Sequence, residues 1–79
     1  MPLAPLLPRS RSASMATHLR SRTLRVAATV LGGPRRLARR LGASPSEVLA
    51  WLSGTVEPPE RAFLDALRVI LEDLERRDP

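Results

Sequence analysis

Four arginines lie within the eight residues PRRLARRL, positions 34–41 of this chain. Arginine keeps its charge at physiological pH, and its planar fork of donors suits the oxygens of a phosphate. At the helical period these side chains share the side opposite the apolar positions of the segment. They are Arg35, Arg36, Arg39 and Arg40. The pattern indicates contact with a polyanion such as a phosphate backbone, and the alternative interpretation is an ordinary solvated helix face.

Charge is also divided unevenly between the two halves of the chain. Residues 1–40 carry nine arginines and no acidic residue, whereas residues 41–79 carry four arginines and eight acidic residues. The two halves therefore have net charges of +9 and −4, within a total of +5. A basic half joined to an acidic half favours a polyanionic partner on one side of the molecule.

Composition argues against several classes of site. The chain has no cysteine and a single histidine, His18, so neither thiolate chemistry nor a histidine-rich metal site is expected. Trp51 and Phe63 are the only aromatic residues, too few for a platform that stacks single-stranded bases. No nucleophile is paired with a base, and no apolar run approaches the roughly 18 residues of a membrane span. We therefore expect a protein without enzymatic activity, cofactor or membrane association. Its expected location is the cytoplasm, in association with the nucleoid.

Residues 1–22 have the composition of a disordered basic arm. Three prolines interrupt their start, arginines and serines follow, and no period is sustained. Two alternatives stay open. The acid-free, arginine- and serine-rich start resembles an organellar targeting segment. Met15 could also be the true first residue, in which case residues 1–14 would be a mis-assigned extension.

Residues 23–77 predict an all-α domain of four helices. The first is expected to begin at Thr23, with Thr23 or Ser21 as its cap, and to stop at the two glycines 32–33. The third has a capping box, in which Ser44 is the cap and Glu47 lies three residues later. The expected helices are residues 23–31, 34–41, 45–53 and 60–77.

The fourth predicted helix has an apolar stripe composed of Phe63, Ala66, Leu67, Ile70, Leu71 and Leu74. Its outer face carries three oppositely charged pairs spaced four residues apart, each worth only tenths of a kcal/mol. They are Arg61–Asp65, Arg68–Glu72 and Asp73–Arg77. Because so small a domain has a marginal core, this long helix is the expected surface of a homodimer.

Residues 34–53 meet the physical requirements of a helix-turn-helix. The turn between the two helices needs a residue that adopts positive φ, and Gly42 supplies it. Ala38 is the small residue needed where the helices cross closely. Val48 and Trp51, six and nine residues after the glycine, supply the buried side of the second helix.

The segment LARRLGASPSEVLAWLSG resembles the helix-turn-helix of the Cro and phage-repressor regulators, the xenobiotic-response-element family. That family has an alanine, a glycine four residues later, a small residue and a serine, then an aliphatic residue and often a tryptophan six and nine residues after the glycine. The matching residues are Ala38, Gly42, Ala43, Ser44, Val48 and Trp51. The exit WLSGTVEPP also resembles the family's Trp-x-x-Gly-x-x-x-Pro. The lead-in LGGPRRLARRLG is similar to small prophage regulators and antitoxins.

The resemblance covers about residues 24–72 and implies a double-stranded DNA interface. The second helix would cross the phosphate backbone with its four arginines, and the third would enter the major groove. Positions facing the bases would be Pro45, Ser46, Leu49, Ala50 and Ser53, with Ser44 and Glu47 at the start of that helix. For Glu47 there are two interpretations: a capping-box carboxylate, or an acceptor from cytosine N4.

This chain departs from the family at the positions that would contact the bases. Long amides or arginines are expected on the recognition helix, and this chain has hydroxyls, alkyl groups and a proline there. Pro34 also stands where the family often has a phosphate-clamping glutamine. Affinity should therefore come mostly from backbone charge. The main hypothesis is a DNA-binding transcriptional regulator of a bacterium or prophage, acting as a homodimer. The alternative is an antitoxin-like scaffold that binds a toxin or other protein and has little specific DNA binding.

Overall fold

The structure of the protein is a computed structural model that describes residues 6–77, with side chains from residue 18 onward. Over this range the chain is all-helical, as predicted, and none of its helices is both long and apolar enough to cross a bilayer. The helices are α1 Leu6–Leu31, α2 Pro34–Leu41, α3 Pro45–Ser53 and α4 Glu60–Arg77. The expected bounds of α2, α3 and α4 are confirmed.

The first helix begins earlier than the expected start at Thr23. It runs over Leu6–Leu31, so the expected boundary between arm and domain, at residues 22–23, falls inside α1. Ser21 and Thr23 are not its caps, and Thr23 Oγ1 donates to the Leu19 carbonyl of the same helix at 2.8 Å. Ser21, ahead of the expected start, is only 3% exposed and is packed inside the fold. Residues 1–5 of the expected arm lie outside the described residues.

The core lies between α1 and the other three helices, each of which α1 contacts. The residues predicted for the inner sides of α2 and α3 are all buried. With those of α1 and α4 they form one cluster: Leu24, Ala27, Ala28, Leu37, Ala38, Leu41, Val48, Trp51, Ala62, Ala66 and Val69. Alanines supply much of the surface between α1 and α4, so these two helices pack through small side chains. A core of this kind buries little apolar area, and the free energy of unfolding should be correspondingly small.

The apolar stripe expected on α4 does not coincide with the side that faces the core. Ala62, Ala66 and Val69 are the buried residues of this helix, and of these only Ala66 belongs to the expected stripe. Leu67, Leu71 and Leu74 are exposed, and so is Leu64. Helix α4 packs against α1, and the side it buries there carries the small side chains rather than the leucines. Helix α4 is therefore apolar on two sides.

Candidate nucleic-acid interface

Gly42 makes the turn between α2 and α3. Its φ and ψ are 68° and 33°, in the left-handed region, and its N–H points to the carbonyls of Ala38 and Arg39. The N–H of Ala43 donates to the Ala38 carbonyl at 3.0 Å, which completes the end of α2. The predicted positive φ is confirmed. A Cβ at this position would meet no other atom within 4 Å, so the requirement for glycine lies in the backbone.

The start of α3 is fixed by the predicted capping box. Ser44 Oγ accepts from the Glu47 N–H at 3.2 Å, and the Ser44 N–H donates to Glu47 Oε1 at 3.0 Å. Pro45 is the first helical residue. Glu47 therefore serves as the capping-box carboxylate, one of the two interpretations of this residue. Ser46 is exposed beside the cap, with its Oγ 3.4 Å from Ser44 Oγ.

Helix α1 forms two hydrogen bonds to the opposite end of α3 and a third to the loop that follows it. Ser21 Oγ donates to the Trp51 carbonyl at 2.7 Å, and Arg25 Nε donates to the Leu52 carbonyl at 3.0 Å. Arg20 Nη1 donates to the Pro58 carbonyl in the loop that follows, at 3.1 Å. The Ser21 and Arg25 side chains thus donate to carbonyls in the last turn of α3, where the helix has few donors of its own. Sequence patterns missed this role of α1, because each bond joins residues about thirty or more positions apart.

A cleft of about 560 Å³ lies where the end of α1 meets the first turns of α2 and α3. Two arginines and one leucine of the predicted interface line it together. The full lining is Gly32, Gly33, Pro34, Arg35, Arg36, Pro45 and Leu49. A methyl group added at Gly32 would lie 3.4 Å from Arg36 Nη1, so the arginine side chain lies close over this glycine. The structure thus brings Arg35, Arg36 and Leu49 to one site.

The first turn of α2 concentrates positive charge at this cleft. Its N-cap is Gly33, which forms no side-chain cap, and the turn contains no acidic residue. The N-terminus of a helix carries a partial positive charge and suits an anion. Arg35 and Arg36 add two full positive charges at the same end, where they disfavour the helix itself. Helix stability therefore does not explain these arginines, whereas binding of an anion would.

The other two predicted arginines lie apart from the cleft lining. Arg39 is exposed in the last turn of α2, where its charge favours the helix end. Arg40 Nη2 lies 2.9 Å from Glu72 Oε1 of α4, with both side chains partly exposed. The hydrogen bond from Arg40 lowers the pKa of Glu72; the charges of Arg40, Arg68 and Arg76 act in the same direction, against a raising effect of desolvation. Arg40 is thus already paired with a carboxylate.

The outer face of α3 offers few polar groups that reach outward. Leu49 is 54% exposed and Ala50 is half-buried. Ser53 Oγ donates to the Ala50 carbonyl at 3.0 Å and lies 2.8 Å from Thr55 Oγ1, so this hydroxyl is used at the helix end. Ser46 is the remaining exposed hydroxyl of this face. As the sequence indicated, this surface is poorly equipped for bidentate contacts with bases.

The residues that carry the resemblance to the Cro and phage-repressor family occupy the inner side of the α2–α3 unit and its turn. Ala38, Val48 and Trp51 are buried together, and Gly42 is the left-handed residue between the helices. Within residues 6–77, no group of three or more histidine, aspartate or glutamate side chains is placed to hold a metal ion. Comparison of the chain with protein-family models, with curated proteins and with solved structures found no match.

Proposed function

We propose that this protein is a helix-turn-helix protein of the Cro and phage-repressor type that binds double-stranded DNA. The observation that carries the proposal is the cleft at the first turns of α2 and α3, lined by Arg35, Arg36 and Leu49. A DNA phosphate at this cleft would meet two guanidinium groups and the positive end of α2. Leu49, exposed at the same cleft, would then face the major groove.

The proposed binding mode is dominated by the phosphate backbone. Arg35, Arg36 and Arg39 are exposed cations of α2, and Arg40 joins them only in competition with Glu72. Base contacts would be limited to the Ser46 hydroxyl and to apolar contact of Leu49 with a thymine methyl group. We therefore expect binding that depends steeply on salt and discriminates weakly among sequences. A role in transcription regulation in a bacterium or prophage, at the nucleoid, belongs to this proposal. So does a homodimer, because two copies match two half-sites.

A second function is favoured by the outer face of α3. Its largest exposed side chain is the apolar Leu49, and Glu47 is engaged in the helix cap. A surface of this kind also suits contact with another protein, as in an antitoxin that holds a toxin. The basic first turn of α2 opposes this alternative, because two arginines at the positive end of a helix suit an anion rather than an apolar partner surface that would cover Leu49.

Binding to two unrelated DNA duplexes at two salt concentrations separates these functions. The DNA-binding proposal predicts similar affinity for both duplexes and a large loss of affinity as salt is raised. Fluorescence anisotropy of labelled duplexes measures both quantities. Absence of binding to either duplex at low salt would favour the protein-interaction module.

A further inference from the structure

Helix α4 presents a row of four leucines on the side opposite the core. Leu64, Leu67, Leu71 and Leu74 are each 42–57% exposed, whereas Ala62, Ala66 and Val69 are buried on the other side. Single exposed leucines are common on protein surfaces and need no explanation. A contiguous row of them marks a surface that another apolar surface covers. We refer to the four residues as the leucine row.

The spacing of the leucine row is that of a two-helix seam. Its members follow one another at intervals of three, four and three residues. This is the a/d pattern that lets two helices interlock their side chains along a shared seam. The seam is self-complementary, because reversing the direction of the helix leaves the same three-four-three order. A second copy of α4 therefore fits the row in the antiparallel direction as well as in the parallel one.

We infer that α4 pairs with α4 of a second copy in the antiparallel direction, about a two-fold axis that crosses the leucine row midway between Leu67 and Leu71. Leu64 then packs against the partner's Leu74, and Leu67 against the partner's Leu71. This inference gives the interface of the proposed homodimer. It does not depend on DNA, and it is tested without DNA, so its failure would leave the DNA-binding proposal standing.

Charges beside the leucine row select the antiparallel direction. One edge of the row is charged and consists of Arg61, Arg68 and Glu75. The other edge is mostly apolar and consists of Phe63, Ile70 and Arg77. Antiparallel pairing sets each edge against its own copy, which brings Arg61 next to the partner's Glu75 twice. Parallel pairing sets the charged edge against the apolar one and forms neither ion pair.

Arg68 limits the strength of the antiparallel dimer. It lies close to the axis and faces the partner's Arg68, so like charges meet there. An 18-residue helix is about 27 Å long. A standard protein interface buries about 800 Å² of surface on each partner, and a seam of this length buries less. We therefore expect a weak, concentration-dependent dimer. Arg68→Gln should increase its affinity, because it removes the repulsion at the axis.

Disulfide trapping reads the direction of pairing directly, because the chain has no native cysteine. The experiment uses two variants of the full chain, Leu64→Cys and Leu74→Cys, oxidised alone and as an equal mixture. Antiparallel pairing predicts a cross-linked dimer in the mixture and little in either variant alone. Identical positions in that arrangement are offset by ten residues, about 15 Å along the helix, beyond the reach of a disulfide. Cross-linking of each variant with itself at the level of the mixture would overturn the antiparallel arrangement.

Sedimentation at increasing protein concentration tests whether the leucine row is the interface. We expect Leu71→Glu to abolish the dimer, whereas Leu19→Glu, at an equally exposed leucine of α1, leaves it intact. Arg61→Glu should weaken the dimer, and adding Glu75→Arg to that variant should restore it. Helix content measured by circular dichroism confirms that each variant is folded. A wild-type chain that stays monomeric at all concentrations, or a dimer unaffected by Leu71→Glu, would overturn the inference and assign the row to another occupant.

Discussion

Arg40 and Glu72 form an ion pair that joins α2 to α4, with 2.9 Å between Arg40 Nη2 and Glu72 Oε1. The sequence predicted a different partner for each of them: a DNA phosphate for Arg40, and Arg68 for Glu72 on the same helix. The two interactions compete for Arg40, because a guanidinium held by a carboxylate must share or lose that partner to contact a phosphate. The pair therefore links the fold to the proposed interface.

The ion pair makes a contribution to stability that depends on pH. Since Arg40 lowers the pKa of Glu72, ionised Glu72 stabilises the folded state at neutral pH. That contribution is fully present above the ordinary glutamate pKa of about 4.3 and is lost as the pH falls through the lowered value. We expect Arg40→Gln to raise the pKa of Glu72 towards its ordinary value, measured by NMR titration of the side-chain carboxyl. Arg36→Gln is the matched control and should leave this pKa unchanged.

Removal of the Glu72 carboxylate should strengthen DNA binding. In Glu72→Gln the Arg40 guanidinium becomes available to a phosphate, which adds up to one contact. The plot of log affinity against log salt should then steepen by about 0.9. Asp65→Asn removes an equal charge from the same helix and controls for the change in net charge. Equal effects of the two substitutions would mean that Arg40 makes no phosphate contact.

Ser21→Ala should destabilise the protein, although the sequence placed Ser21 in the arm or at a helix cap. The substitution removes the buried hydrogen bond to the Trp51 carbonyl, an interaction worth about 0.5–1.5 kcal/mol. Chemical denaturation measures the loss. Thr29→Ala is the control, since the exposed Thr29 hydroxyl donates to the Arg25 carbonyl within α1. A stability equal to that of wild type would show that α1 does not hold α3 through this bond.

Local patterns predicted those parts of the fold that local chemistry determines. Pro34 as the first residue of α2, the left-handed Gly42 and the Ser44–Glu47 cap each depend on a few neighbouring residues, and all three are confirmed. The packing of Ser21 within α1 was not predicted, because its hydroxyl bonds to a carbonyl 30 positions away.

The same limit applies to the side of α4 that faces the core. Hydrophobicity ranks Leu67 and Leu71 above Ala62 as core residues, yet the alanine is the buried one. Which side of α4 packs against α1 depends on contacts between residues far apart in sequence, and periodicity within α4 does not reveal it. In the candidate interface, the sequence predicted that the four arginines share one side of α2. It could not predict the pairing of Arg40 with a residue of α4.

Gly42→Ala should cost about 1–2 kcal/mol of stability, because a side chain disfavours the left-handed conformation at φ 68°. No steric contact adds to this cost, since the space around the position is open. Gly42→Asn is the informative comparison and should cost less, because asparagine adopts this conformation more readily. Thermal unfolding ranks the three proteins. An alanine variant as stable as wild type would rule out the requirement for positive φ at the turn.

The salt dependence of DNA binding by the double variant Arg35→Glu, Arg36→Glu tests whether the first turn of α2 binds the phosphate backbone. Acidic side chains at a helix N-terminus stabilise the helix, so the variant should unfold at a temperature no lower than wild type. Loss of binding could then not be attributed to loss of the fold. The control is Arg22→Glu, an exposed arginine of α1 about 15 Å along the helix from Gly32.

Fluorescence anisotropy with two unrelated duplexes, over a series of salt concentrations, provides the measurement. Wild-type affinity should fall with salt at a slope of about −0.9 for each phosphate neutralised. The double variant should lose affinity for both duplexes alike, with a slope shallower by about 0.9 for each contact removed, and Arg22→Glu should keep the wild-type slope. Wild-type protein that binds neither duplex at low salt, or a double variant that behaves like Arg22→Glu, would show that the first turn of α2 does not bind the phosphate backbone.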